Sequence, residues 1–297
     1  MNTRRLRLGS RGSRLALIQS ELIAAGLRRL GHEVDIVRIV TEGDNRTDTT
    51  AIGDGIFVGA LESALVAGDI DLAMHSAKDM ALEERGQLVV GAYTERADPR
   101  DALVTRDGRG LGDLPQGAVV GTDSPRRQAF LLALRPDLEV RSVRGNVDTR
   151  VRRLDEGVVD ALVLAAAGLD RLGLADRIAL RFDPAQMPPA PAQGALAAQV
   201  RRDDKAVRAL MARLDLPRVR LAVTTERGLL AHLGGGCRAP IGALAEVRDE
   251  RLHLTAAAMG RGGVRHITID DEATPEGSRR LIRSAGSELR TALPATL

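Results

Sequence analysis

The feature that most constrains this chain is a repeated alternation of short apolar, strand-like runs with longer runs of helical spacing, separated by polar turns. Residues 6–8 read as a strand, Gly9-Ser10-Arg11-Gly12-Ser13 as a polar turn, and residues 15–30 as a helix with apolar positions three and four apart. A strand over 34–40, a helix over 57–67 and strands over 70–74 and 88–93 follow. Such alternation predicts a largely parallel sheet covered by helices. A second block of the same kind starts after Asp98-Pro99, with strands over 118–121, 139–143 and 160–164 and helices over 125–134 and 147–154. The first of these helices has Ser124 as its cap and Pro125 in its first turn.

Two stretches break the rhythm. Residues 41–55 are polar and without apolar periodicity, which fits either a lid over a site or a plain surface loop. Residues 183–191 are the most proline-rich of the chain and read as an extended connection. Beyond them a strand over 195–200 and a helix over 205–214 are expected to rejoin the first block. From Pro217 a helix to His232, three strand-like runs (241–247, 251–257, 264–269) and a helix from Pro275 to about Thr291 form a small α+β region.

Composition narrows the function classes. The 297 residues are 44% apolar and 28% charged, as in a globular protein, and the longest apolar stretch, near 161–169, is too short to cross a bilayer. One cysteine, Cys237, excludes an internal disulfide framework and a cysteine-built metal site, and the five histidines are scattered, so a reducing cytoplasm and no metal are expected. Of 43 basic residues only Lys78 and Lys205 are lysines, so the positive charge is guanidinium, suited to carboxylates and phosphates. Nucleic acid is disfavoured as the anion, because Trp is absent and Tyr93, Phe57, Phe130 and Phe182 are too few for base stacking.

Four segments carry candidate chemistry. His75-Ser76-Ala77-Lys78-Asp79 follows an apolar strand, which puts its polar groups at a strand's carboxyl end, where open α/β sheets bind ligands; a helix cap or surface ion pair is the plainer reading. Gly121-Thr122-Asp123-Ser124-Pro125-Arg126-Arg127 gathers hydroxyls, N–H groups and two guanidiniums at a helix start, an arrangement suited to anions or simply a capped helix with solvated arginines. Arg144-Gly145-Asn146-Val147-Asp148-Thr149-Arg150 repeats that pattern after the next strand. Gly234-Gly235-Gly236-Cys237-Arg238 sets the sole thiol on a glycine-rich loop beside an arginine that favours thiolate, although an isolated cysteine is most often inert.

Together with residues 6–17, Pro191-Ala192-Gln193-Gly194-Ala195 and Ala166-Ala167-Gly168-Leu169-Asp170-Arg171-Leu172-Gly173, these segments resemble the hydroxymethylbilane synthases (porphobilinogen deaminases), in order and across nearly the whole chain. The resemblance implies two doubly wound, periplasmic-binding-protein-like α/β domains with a hinge and a small C-terminal α+β domain. The boundaries it suggests are 1–95 with 195–215, 99–190, and 217–297. It implies head-to-tail condensation of four porphobilinogen molecules on a dipyrromethane primer bound through Cys237, then hydrolytic release of the linear tetrapyrrole. Asp79 matches the catalytic carboxylate, which would stabilise the cation left by loss of ammonia and assist proton transfer. Ser76, Lys78, Thr122, Ser124, Arg126, Arg127, Arg144 and Gly145 would hold the primer, and Arg11, Ser13, Arg150, Arg171 and Gln193 the substrate.

Porphobilinogen bears an acetate and a propionate, so a growing chain accumulates carboxylates and needs many arginines; each well-formed charge-assisted bond supplies roughly 1.5–3 kcal/mol. A cytoplasmic monomer without nucleic-acid or membrane partners is implied as well. Two departures stand out. The loop at 48–56 lacks the family's lysines, which puts lid contacts to substrate in doubt, and Met80-Ala81 replaces the usual hydrophobic residue and proline after the catalytic Asp. A two-domain solute-binding protein would share the βαβ halves, and a basic nucleic-acid-binding protein the arginine content.

Overall fold

A computed structural model of the chain describes residues 5–40, 58–83, 85–235, 239–260 and 262–293. The candidate lid, Phe57 and Cys237 with its neighbours Gly236 and Arg238 lie outside the described residues. The chain forms two compact units, one of residues 1–96 and 195–220, the other of 97–194 and 221–297.

In chain order the first unit opens with β1 (Leu6–Ser10), α1 (Arg14–Arg29), β2 (Val34–Arg38), α2 (Gly59–Ala67), β3 (Leu72–Ser76) and β4 (Leu88–Tyr93). The second then builds β5 (Asp101–Thr105), β6 (Val119–Gly121), α3 (Pro125–Leu134), β7 (Glu139–Arg141), α4 (Val147–Asp155), β8 (Ala161–Ala165), α5 (Ala166–Arg171) and β9 (Ile178–Arg181). The chain returns with β10 (Leu196–Arg201) and α6 (Lys205–Ala212). It continues through α7 (Pro217–His232) to β11 (Ile241–Arg248), β12 (Arg251–Gly260), β13 (Gly263–Glu272) and α8 (Pro275–Arg290).

The two five-stranded sheets have equivalent orders, β2-β1-β3-β10-β4 and β7-β6-β8-β5-β9. In each, four strands run one way and the strand in fourth place, β10 or β5, runs against both neighbours. Strand periodicity sends successive side chains to opposite faces, so each sheet has a core on both sides. In the first unit Leu6, Leu8, Leu72 and Met74 meet α1 and α6 on one face, while Ala73 meets Leu61 and Leu65 of α2 on the other. In the second, Leu103, Val120, Ala161 and Val163 meet Phe130 and Leu131 of α3, while Ala102, Val104, Leu162 and Leu164 meet Val151, Leu154 and Leu169. Both are doubly wound α/β sheets, as expected, and both have the same strand order.

The small C-terminal region is an antiparallel sheet, β11-β12-β13, with α8 against it. Thr225 of α7 and Ser278 of α8 share a buried hydroxyl–hydroxyl bond of 2.7 Å. Ala257 of β12 joins the core around Phe130 and Phe182, which ties this sheet to the α3 side of its unit. The proline-rich stretch, read as an extended connection, is buried over part of its length. Met187, Pro188 and Pro189 are buried, and the Pro188 and Pro189 carbonyls accept from Arg126 at 2.8 Å and from the Ala243 N–H at 2.9 Å. Proline has no N–H to satisfy, so only its carbonyl needs a partner when buried.

Candidate active site

In the first unit the carboxyl ends of β1 and β3 carry the expected groups. Ser13 caps α1, its hydroxyl accepting from the Ala16 N–H at 3.3 Å, and Arg11 is half-buried on the turn before it. After β3 a 3-10 turn, Ala77–Asp79, brings Lys78 to a half-buried position and Asp79 to an exposed one. The turn is pinned by the Ala77 N–H, which donates to the Ala195 carbonyl at 3.0 Å, and Ser76 donates to Gln19 of α1 at 3.4 Å. Asp79 thus presents its carboxylate at a strand's carboxyl end on a fixed turn.

Beneath that turn lies a chain of polar groups that the sequence reading did not single out. His75 Nε2 is 3.0 Å from Gln199 Oε1, Gln199 Nε2 donates to Glu62 Oε1 at 3.0 Å, and Glu62 Oε2 is 3.2 Å from Arg85. Because the Gln199 amide nitrogen faces a carboxylate, its oxygen faces the imidazole, which fixes the His75 proton on Nε2. Burial pushes the His75 pKa down to about 4, against the raising effect of the Gln199 bond. The sequence signals were His75 itself, within the candidate segment 75–79, and a lone glutamine inside the apolar run of β10.

In the second unit the two strand-to-helix turns do come together. Ser124 caps α3 through the Arg127 N–H at 3.4 Å, and Thr122, buried, accepts from the Ser124 N–H at 3.3 Å. Asp123 accepts from Ser142 and sits 3.4 Å from Arg150 of α4. Arg150 also donates to the Gly145 carbonyl at 2.8 Å, and burial lowers its pKa. Gly145 has φ +111°, and a Cβ there would come within 3.0 Å of Thr149, so the turn requires glycine. Arg144 is exposed.

Arg126 and Arg127 are placed differently from the solvated pair that the helix start suggests. Both are buried around Asp101, itself fully buried on β5: Arg126 Nη1 lies 2.7 Å from Oδ2, and Arg127 Nε donates to Oδ1 at 2.9 Å. Arg127 also donates to the Val163 carbonyl at 3.2 Å and to Gln193 Oε1 at 3.3 Å, and Gln193 Nε2 donates to the Pro99 carbonyl at 2.8 Å and Asp101 Oδ1 at 2.9 Å. Burial alone would raise the Asp101 pKa; the two guanidiniums overcome it and hold the carboxyl far below the usual carboxylate range. Burial lowers the Arg126 pKa in turn. Two guanidiniums against one carboxylate leave a surplus positive charge, a donor set that suits a further carboxylate.

Arg171 donates to the Gly194 carbonyl at 2.7 Å, and the same oxygen accepts from the Ala97 N–H at 3.2 Å. Gly194 has φ +87° with the Ala97 carbonyl 2.4 Å from where a Cβ would stand, so no side chain fits. Among the described residues no cluster of His, Cys, Asp and Glu could hold a metal, and no helix is long and apolar enough to cross a membrane.

A family profile described as porphobilinogen deaminase, dipyromethane cofactor binding domain, matches residues 6–209, and one for the porphobilinogen deaminase C-terminal domain matches 220–291. The porphobilinogen deaminase of Acidothermus cellulolyticus is 46% identical over 291 residues, covering 96% of this chain and 88% of that protein. That of Mycolicibacterium gilvum is 44% identical over 295 residues, covering 96% and 95%. Among solved structures, the methionine-binding protein MetQ aligns with 71% of this chain and 89% of its own at 17% identity and a TM-score of 0.48. The chain belongs to the porphobilinogen deaminase family, and it is accordingly an enzyme, a transferase of tetrapyrrole synthesis with hydroxymethylbilane synthase activity and a dipyrromethane cofactor.

Proposed function

We propose that Asp79 is the catalytic carboxylate of this chain and that the polar turns after the strands of each unit hold carboxylates. The observation that carries the proposal is the position of Asp79, exposed at the carboxyl end of β3 on a turn pinned to the Ala195 carbonyl. A carboxylate fixed there can stabilise positive charge developing on a pyrrole as ammonia leaves, and can move a proton to the departing amine. Lys78 beside it supplies a compact positive charge for a substrate carboxylate.

The dipyrromethane is attached as a thioether to Cys237, the only thiol of the chain, and serves as the fixed primer for elongation. Its acetates and propionates are held by Ser76, Lys78, Thr122, Ser124, Arg126, Arg127, Arg144 and Gly145. The surplus positive charge around Asp101 supports that reading. The capping Ser124 supports it as well, since a hydroxyl that accepts from an N–H keeps its own proton to donate. Arg11, Ser13, Arg150, Arg171 and Gln193 serve porphobilinogen, the small-molecule substrate. The chain divides into three domains, 1–95 with 195–215, 99–190 and 217–297. It works as a cytoplasmic monomer without a nucleic-acid partner, in keeping with its single cysteine and scarce aromatics.

Intact mass before and after incubation with porphobilinogen tests the proposal. The chain is expected to exceed its polypeptide mass by two pyrrole units and to gain single units on adding substrate. Cys237→Ser is expected to show the bare mass. Asp79→Asn is expected to bind substrate but to lose roughly 100-fold or more of its turnover. A bare wild-type chain inert to porphobilinogen, or full activity in either variant, would overturn the assignment.

A further inference from the structure

The segment that leads into β10 contains a strained residue. Ala192 has φ +66°, a left-handed conformation that a Cβ disfavours, and it is completely buried. Its N–H donates to Glu226 Oε2 at 2.6 Å. Glu226, on α7, is also completely buried, and its other oxygen accepts from the Ala245 N–H of β11 at 2.7 Å. The next residue after Ala192 is Gln193, whose amide bridges Asp101, Arg127 and the Pro99 carbonyl. A left-handed residue reverses the local course of the chain, and here that reversal turns the Gln193 side chain into the cluster.

We propose that Glu226 is a positioning residue: by tethering the Ala192 N–H it holds the left-handed turn that aims Gln193 at Asp101 and Arg127. It thereby fixes the arginine pair in the geometry that receives a carboxylate. This inference rests on the reading of Arg126 and Arg127 as carboxylate-binding groups. Glu226 supplies an acceptor to each of two convergent N–H groups. Glutamine of the same shape has one acceptor and one NH2, so one N–H would face a donor. With the tether weakened, Ala192 relaxes toward ordinary φ and Gln193 swings away.

Glycine adopts left-handed φ without strain, so Ala192→Gly removes the need for the tether. The experiment compares the wild-type holoenzyme with Glu226→Gln, Ala192→Gly and the double variant, measuring kcat and KM for porphobilinogen and the urea midpoint of each. Glu226→Gln is expected to lower kcat/KM about tenfold, mostly through KM, with Ala192→Gly alone within about twofold of wild type and the double variant within about threefold. If Glu226 merely anchored β11, glycine at 192 would restore nothing; that result, or unchanged kinetics in Glu226→Gln, overturns the proposal. Should Glu226→Gln yield no folded protein, recovery of folded protein in the double variant supports the tether and its absence sinks it. A wild-type chain inert to porphobilinogen removes the carboxylate reading instead, and recovery of the urea midpoint by Ala192→Gly then shows the tether on its own.

Discussion

The two α/β sheets share one strand order and differ in what they bury at its centre. In each, the fourth strand runs antiparallel to its neighbours and carries a buried polar residue: Gln199 on β10 in the first unit, Asp101 on β5 in the second. Around Gln199 the fold assembles a neutral imidazole and a carboxyl group in a hydrogen-bonded chain. Around Asp101 it assembles two buried guanidiniums. Topology therefore inserts an antiparallel strand twice, but the polar residue sits at different depths: Gln199 pairs with Ala73 within β3, and Asp101 with Ala165 at the carboxyl end of β8, so one lobe centres on a hydrogen-bond relay and the other on an ion cluster.

The sharpest way to break that contrast is to remove the charge from the second cluster. Asp101→Asn keeps the shape and leaves two buried guanidiniums without a counter-charge, which is expected to cost about 3–5 kcal/mol of stability. Urea unfolding of the two proteins at neutral pH checks it. A loss below about 1 kcal/mol, the scale of an exposed ion pair, would mean that Asp101 does not organise this lobe.

Acid separates the lobes further, because the two centres titrate in different windows. His75 in the folded protein holds off its proton until about pH 4, while an unfolded histidine takes one up near 6.5. Between these values the unfolded chain binds more protons, so stability falls as pH drops from about 6.5 to 4, by roughly 3 kcal/mol in all, and levels off below. Asp101 has the depressed carboxylate pKa: its contribution is complete above the ordinary 3.8 and is lost as pH falls below that value. His75 thus contributes a mild-acid loss and Asp101 a strong-acid loss. His75→Gln retains a donor toward Gln199 and cannot titrate, so its urea midpoint should stay flatter from pH 6.5 to 4. An unchanged slope in that variant would remove His75 as the cause.

How much of this was readable in the sequence follows from the range of the interactions. The helices α1, α3 and α8 were legible from local signals, namely apolar spacing and, for α3, the cap Ser124 with Pro125, whereas the caps Ser13 of α1 and Thr274 of α8 come from the structure. β5 and β9 were missed. β5 opens on Asp101, directly after Arg100, a charged start that reads as loop because the Asp101 carboxylate is compensated only by Arg126 and Arg127, some 25 residues on. β9 is a half-buried strand of four residues with weak alternation. At the site, Lys78-Asp79 and the arginine-bearing turns were legible because strand ends and helix starts are local features. The occupation of Arg126 and Arg127 by Asp101 was not, nor was the link from Glu226 to Ala192, because each joins residues that only the folded chain brings together.

The smallest effect tests what the lobes have in common. Ser13 and Ser124 stand at the same point of the shared topology, after the first strand of each parallel set, and cap their helices through contacts of 3.3 and 3.4 Å. Alanine at either position removes one acceptor from a helix start and is expected to cost about 1 kcal/mol of stability. Ser124→Ala should lie at the lower end, because Pro125 has no N–H to satisfy and already fixes the φ of the first helical residue. Urea midpoints of the two variants measure the difference. A cost of several kcal/mol at one position alone would make that serine part of its lobe's buried centre and the two turns would no longer be equivalent. Equal small costs, joined to a rise in KM for porphobilinogen at both, would instead mark the hydroxyl protons as the groups that meet substrate carboxylates, with capping as the feature that fixes where those protons point.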